Sequence, residues 1–282
     1  MIIDYRAMVS LTYDDGLDSQ VKHALPALNE FGLKGTFFVS GEALKNPARY
    51  PAWRGVAAAG HEIGIHTINH PCDISFDFVP KGFALQDYDM ARMREEIDEN
   101  LRIVKDEFNY KSDKYVFAYP CGQSSLGKNR EISYKPLIKE KFSAARGVQS
   151  IYADPISVDL YDVPCFGVEC NGGEMIEMVK KAVQNGVWLV FLFHGIEGDY
   201  ISVTEQAHRE LVEYLSHNKD TILTDTFGNI SSRISAKRYG NNRRSDGLMI
   251  GKTCCPKFVF VPVIYFDFLP TIQSSDLLTF GS

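Results

Sequence analysis

Two adjacent carboxylates, Asp14 and Asp15, follow the apolar stretch Ala7-Met8-Val9-Ser10-Leu11 almost at once and are themselves followed by Gly16. Like charges a few ångströms apart drive one pKa upward unless a cation lies beside them. The stretch SLTYDDG (10–16) therefore poses a choice: both side chains face water, or something positive is bound there. A second stretch, HTINH (66–70), spaces His66 and His70 four residues apart. On one helical turn that spacing puts both rings on a common face, a good arrangement for ligating a metal. A third, FLFHG (191–195), ends the most apolar strand of the chain on His194, a residue type that changes charge near neutral pH. Each has a plain alternative when taken alone: solvated aspartates, surface or capping histidines, a core histidine bonded to backbone. Together they supply two imidazoles, a carboxylate and two spare acid–base groups. Three protein ligands with an open position for water is the pattern of catalytic zinc. A divalent cation also answers for the aspartate pair, because it neutralises one and leaves the other charged as a base.

The elements that must position these groups alternate. Residues 7–13, 35–40, 61–66, 114–119 and 187–194 read as strands, with 142–146 and 160–164 as weaker ones. Helical patterns cover 18–31 (with a kink expected at Pro26), 51–59, 87–108, 134–141, 173–185 and 203–217. Residues 71–86 read as a loop. Strand–helix units of this length imply parallel strands joined by right-handed crossovers. In such sheets chemistry gathers where strands end and loops begin. Asp14, Asp15, Ser40, His66, Tyr119-Pro120-Cys121 and His194 all fall at predicted strand ends.

Bulk properties narrow the function classes. With 282 residues, 45% of them apolar and 23% charged, the chain suits one α/β barrel and not a disordered segment. A net charge of −6 argues against nucleic-acid and anionic-membrane partners, which call for clustered Lys and Arg. The densest basic run, Lys237-Arg238 followed by Arg243-Arg244, reads as a solvated helix end and loop. No apolar run is long enough to span a membrane. The first residues lack signal-peptide architecture, which makes a cytoplasmic location the default and a secreted one the reading if the N-terminus was trimmed. Six cysteines (72, 121, 165, 170, 254 and 255) include no C-x-x-C and are too few for a disulfide scaffold. Cys121 lacks a histidine tied to it in sequence, so a thiol nucleophile is disfavoured there. Residues 241–282 stand apart as an extension: NNRRSDG resembles a linker, and FVFVPVIYFDFLP (258–270) reads as a strand pair or a subunit contact.

The order T-[FY]-D-D-G, then H-T-x-x-H about fifty residues on, then a Pro-x-Gly strand end and a late L-x-H resembles the polysaccharide deacetylases, the NodB-homology domain of carbohydrate esterase family 4. The resemblance covers residues 7–230 and implies an α/β fold, a distorted (β/α)7-type barrel of mostly parallel strands, with a catalytic domain over 1–240. It implies Asp15, His66 and His70 as metal ligands, Asp14 as general base, the Cys121 backbone amide in the oxyanion hole, and His194 as general acid. Thr67 would orient the histidine loop; His61 and Glu62 would be structural, or at most in contact with ligands. The metal would be zinc, with cobalt, nickel or manganese as substitutes. The substrate would be an N-acetylated carbohydrate. The same residues suit an O-acetyl xylan-type ester or a small cyclic amide, and a binding domain without activity is the reading from another class. The chain departs from the family where an arginine usually steadies the base, two residues before Pro120: Ala118 stands there. Arg146, closing a strand on the same face, is the candidate replacement. Asp162, ahead of Asp159, is the candidate for orienting His194.

Overall fold

The computed structural model describes residues 5–247. Strand β1 (Ala7–Asp14) leads through a π-helical turn, Gln20–Ala24, into α1 (Leu25–Glu30). Pro26 thus follows directly on the π turn within a continuous helical run, and the irregularity expected there as a kink is that π turn. Then come β2 (Thr36–Val39), α2 (Gly41–Lys45), α3 (Tyr50–Ala58) and β3 (Glu62–Ile65). A long loop precedes α4 (Met90–Arg102), which runs on into a second π turn. Strand β4 (Val116–Ala118) is followed by a small antiparallel pair, β5 (Ser125–Leu126) and β6 (Ile132–Ser133). The chain continues through α5 (Lys135–Lys141), β7 (Ala144–Arg146), β8 (Phe166–Gly167), α6 (Gly172–Asn185), β9 (Trp188–Phe193), α7 (Glu205–His217), β10 (Ile222–Thr224) and α8 (Phe227–Gly247).

The main sheet runs β7-β4-β3-β2-β1-β9-β8, with β10 added to β1, and every pairing in it is parallel. It is the curled sheet of a distorted (β/α)7-type barrel, as expected. Alternation along the strands sorts side chains to two faces. Leu189, Phe191 and Phe193 pack outward with the helices, whereas Trp188, Val190 and Leu192 join a second buried cluster that Phe227, Ile230 and Ile234 of α8 complete. On β1 the inward positions are polar: Ser10, Thr12 and Asp14. Ser10 donates to the Asp225 carbonyl and accepts from Trp188 Nε1, and Thr12 donates to the Phe191 carbonyl at 2.6 Å. Asp14 is the last of this series and emerges where β1 ends.

Two elements differ from expectation. Residues 160–164 do not form a strand; Val163 makes a single bridge to Arg146. A turn closed by the Asp162 amide on the Asp159 carbonyl precedes it, and Pro164, without an N–H, cannot extend a ladder. The stretch 241–247, expected as a linker, is the end of α8. Cys254-Cys255 and residues 258–270 lie outside the described residues. No helix among the described residues is long and apolar enough to cross a membrane.

At the N-terminal end of β3, Glu62 seats α8. Its carboxylate accepts from Thr36 Oγ1 and from the Gly228 amide, and Thr36 in turn accepts from the Phe227 amide. Burial, with Asp225 nearby, pushes its pKa up to about 7 from an ordinary 4.5. The folded protein therefore holds a proton here that the unfolded chain releases earlier. The contribution of this group to stability should be full below 4.5, fall as pH rises, and continue falling until about 7. Glu62→Gln, which keeps an acceptor oxygen, should flatten that part of the melting-temperature profile and raise stability at its alkaline end. An unchanged slope would place the pH dependence elsewhere.

Candidate active site

Asp14 and Asp15 do not share a direction. Asp14 closes the extended strand, while Asp15 adopts a left-handed backbone (φ 71°) and Gly16 follows with φ 65°. A Cβ on Gly16 would come within 2.6 Å of Ala43 Cβ, so the turn requires glycine on both counts. HTINH is not helical. Thr67 and His70 both have positive φ, 65° and 49°, which no α-helix contains. The two histidines converge because the loop doubles back after β3, and the Thr67 hydroxyl accepts from the His70 amide.

The result is a compact donor set. Asp15 Oδ1 lies 3.6 Å from His66 Nε2 and 3.5 Å from His70 Nε2, and one ligand atom from each of the three lies within 4.8 Å of the others. Donors around a tetrahedral zinc sit roughly 3.3 Å apart, so the spacing fits one ion. The tautomers fit as well. His66 Nδ1 is 2.8 Å from the Ala118 carbonyl, and His70 Nδ1 is 3.5 Å from Cys72 Sγ, a disulfide sulfur. Both partners only accept, so each Nδ1 carries the proton and each Nε2 keeps its lone pair. Burial pushes the Asp15 carboxyl up, but His70, His66, His194 and the Tyr200 hydroxyl outweigh it and the net shift is downward.

Asp14 is held differently. Arg146 Nη2 donates to Asp14 Oδ2, with the side chains 0% and 4% exposed. Burial alone would weaken the guanidinium's hold on its proton, yet the Asp14 carboxylate prevails and the net shift of Arg146 is upward. Arg146 also donates to the Gly147 carbonyl at 2.9 Å and lies 3.1 Å from Cys165 Sγ. Its position on β7 pairs directly with Ala118 on β4. A guanidinium thus rises from the strand next to the one where the resemblance expects it, at the same level, and the small side chain of Ala118 is its lateral neighbour. Asp14 Oδ1 is buried without a hydrogen-bond partner, an acceptor left free beside the donor set.

His194 closes β9 with Nε2 3.8 Å from Asp15 Oδ2, and its Nδ1 is buried and unpartnered. Asp162 does not orient it. That carboxylate accepts from Lys135 Nζ at 2.6 Å and from Gln149 at 3.2 Å, because the turn after β7 carries it toward α5. Asp159 caps the Tyr161 amide instead. Cys121 lies in the tight turn after β4 with φ 52°. The turn's own hydrogen bonds use the Gly122 and Gln123 amides. Gly122 is required there, since a Cβ would meet Val148 at 2.1 Å. Cys121 is also joined to Cys72 by a disulfide, with Cα atoms 6.0 Å apart, a pairing that a separation of 49 residues concealed.

Several supporting residues went unread in the sequence. Gln20 Nε2 donates to the carbonyls of both Asp14 (2.6 Å) and His194 (3.0 Å), tying the ends of β1 and β9 together. Glu96 accepts from the Ile68 and Asn69 amides, each at 2.9 Å, and Asn100 donates to the Val39 and Thr67 carbonyls. These two stand four apart beside the apolar stripe Met93, Ile97 and Leu101, and buried polar residues at helical spacing were the available signal. Tyr200 donates to Asp15 Oδ2 at 2.8 Å; burial and the Asp15 carboxylate raise its pKa and keep it a donor. Partners that orient a ligating carboxylate typically tune affinity by 10–100-fold. Should Asp15 ligate zinc, as proposed below, Tyr200→Phe would weaken that binding by about tenfold in a chelator-competition titration, with the fold's melting temperature little changed.

The polysaccharide deacetylase family model matches residues 4–134, the part that holds Asp14, Asp15, His66, His70 and Cys121. With the motifs and the fold in agreement, this stretch is similar to the polysaccharide deacetylase domain of carbohydrate esterase family 4. Among solved structures it resembles one from Mycobacterium smegmatis provisionally assigned as a polysaccharide deacetylase (TM-score 0.57, 17% identity, 90% of this chain and 96% of that one). It also resembles the Xyl-CE4 domain of a multidomain xylanase from the hindgut metagenome of Trinervitermes trinervoides (0.51, 17%, 80% and 90%). At such identities the likeness is one of fold. The curated relatives are a peptidoglycan-N-acetylglucosamine deacetylase from Bacillus cereus, 40% identical over 68 residues (23% of this chain, 24% of that protein), and a gellan lyase from a Bacillus species, 26% over 261 residues (84% and 9%). The chain spans a quarter or less of the length of these relatives.

Proposed function

We propose that this chain is a metal-dependent hydrolase that removes N-acetyl groups from an acetylated sugar or polysaccharide, with residues 1–240 as its catalytic domain and 241–282 as an extension. The observation that carries this reading is the convergence of Asp15, His66 and His70 at one-ion spacing, beside a buried aspartate with a free oxygen. Bound at those three side chains, a divalent ion such as zinc would polarise the acetyl carbonyl and acidify an attacking water. Asp14 Oδ1 takes that water's proton. Arg146 binds Oδ2 of Asp14 and so fixes which oxygen is available. The Cys121 amide donates to the oxyanion as it forms, a contact typically worth about 3 kcal/mol. His194 then gives a proton to the departing amine, which is too poor a leaving group to depart as an anion. The Bacillus cereus relative, by its name, acts on N-acetylglucosamine in peptidoglycan, which supports an amide substrate over an ester.

Ala118 in place of the usual arginine favours an inactive binder; the guanidinium of Arg146 at Asp14 supports the active reading instead. The deciding experiment compares zinc-loaded and chelator-stripped protein for acetate release from N-acetylglucosamine oligomers and from acetylated xylan. Release from the oligomers that disappears on chelation and returns with zinc supports the proposal. Release from xylan alone selects the ester reading. Bound zinc without release from either leaves a carbohydrate-binding domain.

A further inference from the structure

We propose that Cys72 and Cys121 form a redox-controlled thiolate metal site that competes with the deacetylase site for His70. The inference rests on the reading of His70 as a ligand, and it concerns the other nitrogen of that ring. His70 Nε2 faces Asp15 at 3.5 Å, while Nδ1 faces Cys72 Sγ at 3.5 Å. The ring stands between two donor sets. One is Asp15, His66 and His70; the other is His70, Cys72 and Cys121, whose ligand atoms also lie within 4.8 Å of one another.

In the oxidised state the sulfurs are bonded to each other, and the disulfide acts as a tether. It fastens the loop after β3, which carries His70, to the turn after β4, which carries the Cys121 amide. Hydrogen bonds reinforce the same link: the Asp73 amide donates to Gln123 Oε1 at 2.8 Å, and Arg130 pairs with Asp73 at 2.7 Å. These contacts do not depend on the disulfide, so the two cysteines stay close when it opens.

A dithiol reductant opens it in two exchange steps. One reductant thiolate attacks Sγ of Cys121, the half-buried partner, and Cys72 leaves as thiolate. The reductant's second thiol then displaces Cys121, so the reductant gains a disulfide and the protein gains two thiols, two electrons having passed to it. Two cysteine sulfurs and an imidazole nitrogen are a ligand set for zinc or cobalt, with water as the fourth ligand. Binding there releases the two thiol protons and recruits the Nδ1 lone pair, which requires the proton of His70 to leave Nδ1. The ring then no longer presents the tautomer that serves Asp15 and His66, and the oxyanion turn loses its tether.

The test is a cobalt(II) titration of the full chain, as purified and after reduction with a dithiol that is then removed without air. The reduced protein should develop a near-ultraviolet thiolate-to-cobalt charge-transfer band with one equivalent bound, and the oxidised protein should bind cobalt without it. Cys72→Ser and Cys121→Ser should each abolish the band, whereas Cys170→Ser should keep it. His70→Ala should weaken the banded site at least tenfold. Zinc-supported acetate release should fall at least tenfold on reduction and return on reoxidation. Absence of the band in reduced protein overturns the proposal, and so does a band that survives Cys72→Ser, since the thiolates are then elsewhere. The band reports ligation whether or not acetate is released. A band without deacetylation under any condition would sink the deacetylase reading alone; deacetylation indifferent to reduction, without a band, would sink this proposal alone.

Discussion

Arg146→Ala is expected to abolish measurable turnover and to cost about 3–5 kcal/mol of stability, the usual penalty for removing one partner of a buried ion pair. The magnitude follows from burial: neither side chain of the Arg146–Asp14 pair has water to fall back on. Without the guanidinium, Asp14 must take up a proton or remain an uncompensated charge inside the barrel. The first removes its use as a base at neutral pH, and the second strains the fold and leaves the carboxylate without the partner that orients it. Arg146→Lys keeps the charge but not the fork that reaches Asp14, Gly147 and Cys165 together, and should recover only part of the loss. Pairing Arg146→Ala with Asp14→Asn should restore stability relative to Arg146→Ala alone, because the stranded charge is gone, while activity stays absent. Denaturant unfolding of the parent and these three variants checks this, and an Arg146→Ala protein that turns over like the parent would refute the role.

How Arg146 could be anticipated, and Asp162 could not, shows what a linear sequence carries. The carboxyl ends of parallel strands lie along one edge of the sheet, so the arginine closing the 142–146 strand had to come out on the same side as Asp14, Asp15 and His66. That reasoning needs strand order only loosely. Nearness in sequence to Pro164 is only a local cue for Asp162, and the turn after β7 aims it at Lys135 instead. The aspartate and histidine motifs were legible because residue type and spacing encode them. Their geometry was not, since the convergence of His66 and His70 comes from left-handed residues in a loop and not from a helical face. The apolar runs of β1, β2, β3 and β9 announced themselves. Strand β10 is only three residues long, and α8 follows it with little amphipathic pattern to mark it. Links across the sheet, such as Gln20 to two carbonyls, Tyr200 to Asp15 and Cys72 to Cys121, depend on register and turn geometry that local pattern does not contain.

Asp14→Asn is the sharper probe of the chemistry, because it alters a proton acceptor and leaves the ligand trio alone. The amide is nearly isosteric, so Arg146 still has an oxygen to bind, although it loses its counter-charge and the protein should unfold somewhat more readily. Zinc should bind with nearly unchanged affinity, since Asp15, His66 and His70 are untouched. Turnover should fall by roughly 10²–10⁴, the usual contribution of a positioned general base, with KM little moved because Asp14 acts on the water and not on the sugar. Zinc content, KM and kcat measured on one preparation separate the possibilities. Loss of zinc along with activity would make Asp14 a ligand and Asp15 the free carboxylate. Geometry disfavours that exchange: Asp14 Oδ2 lies 3.6 Å from His66 Nε2 but is held by Arg146, whereas Asp15 Oδ1 faces both imidazoles. Full zinc with kcat intact would remove the base from the mechanism, and the buried free oxygen of Asp14 would then need another purpose.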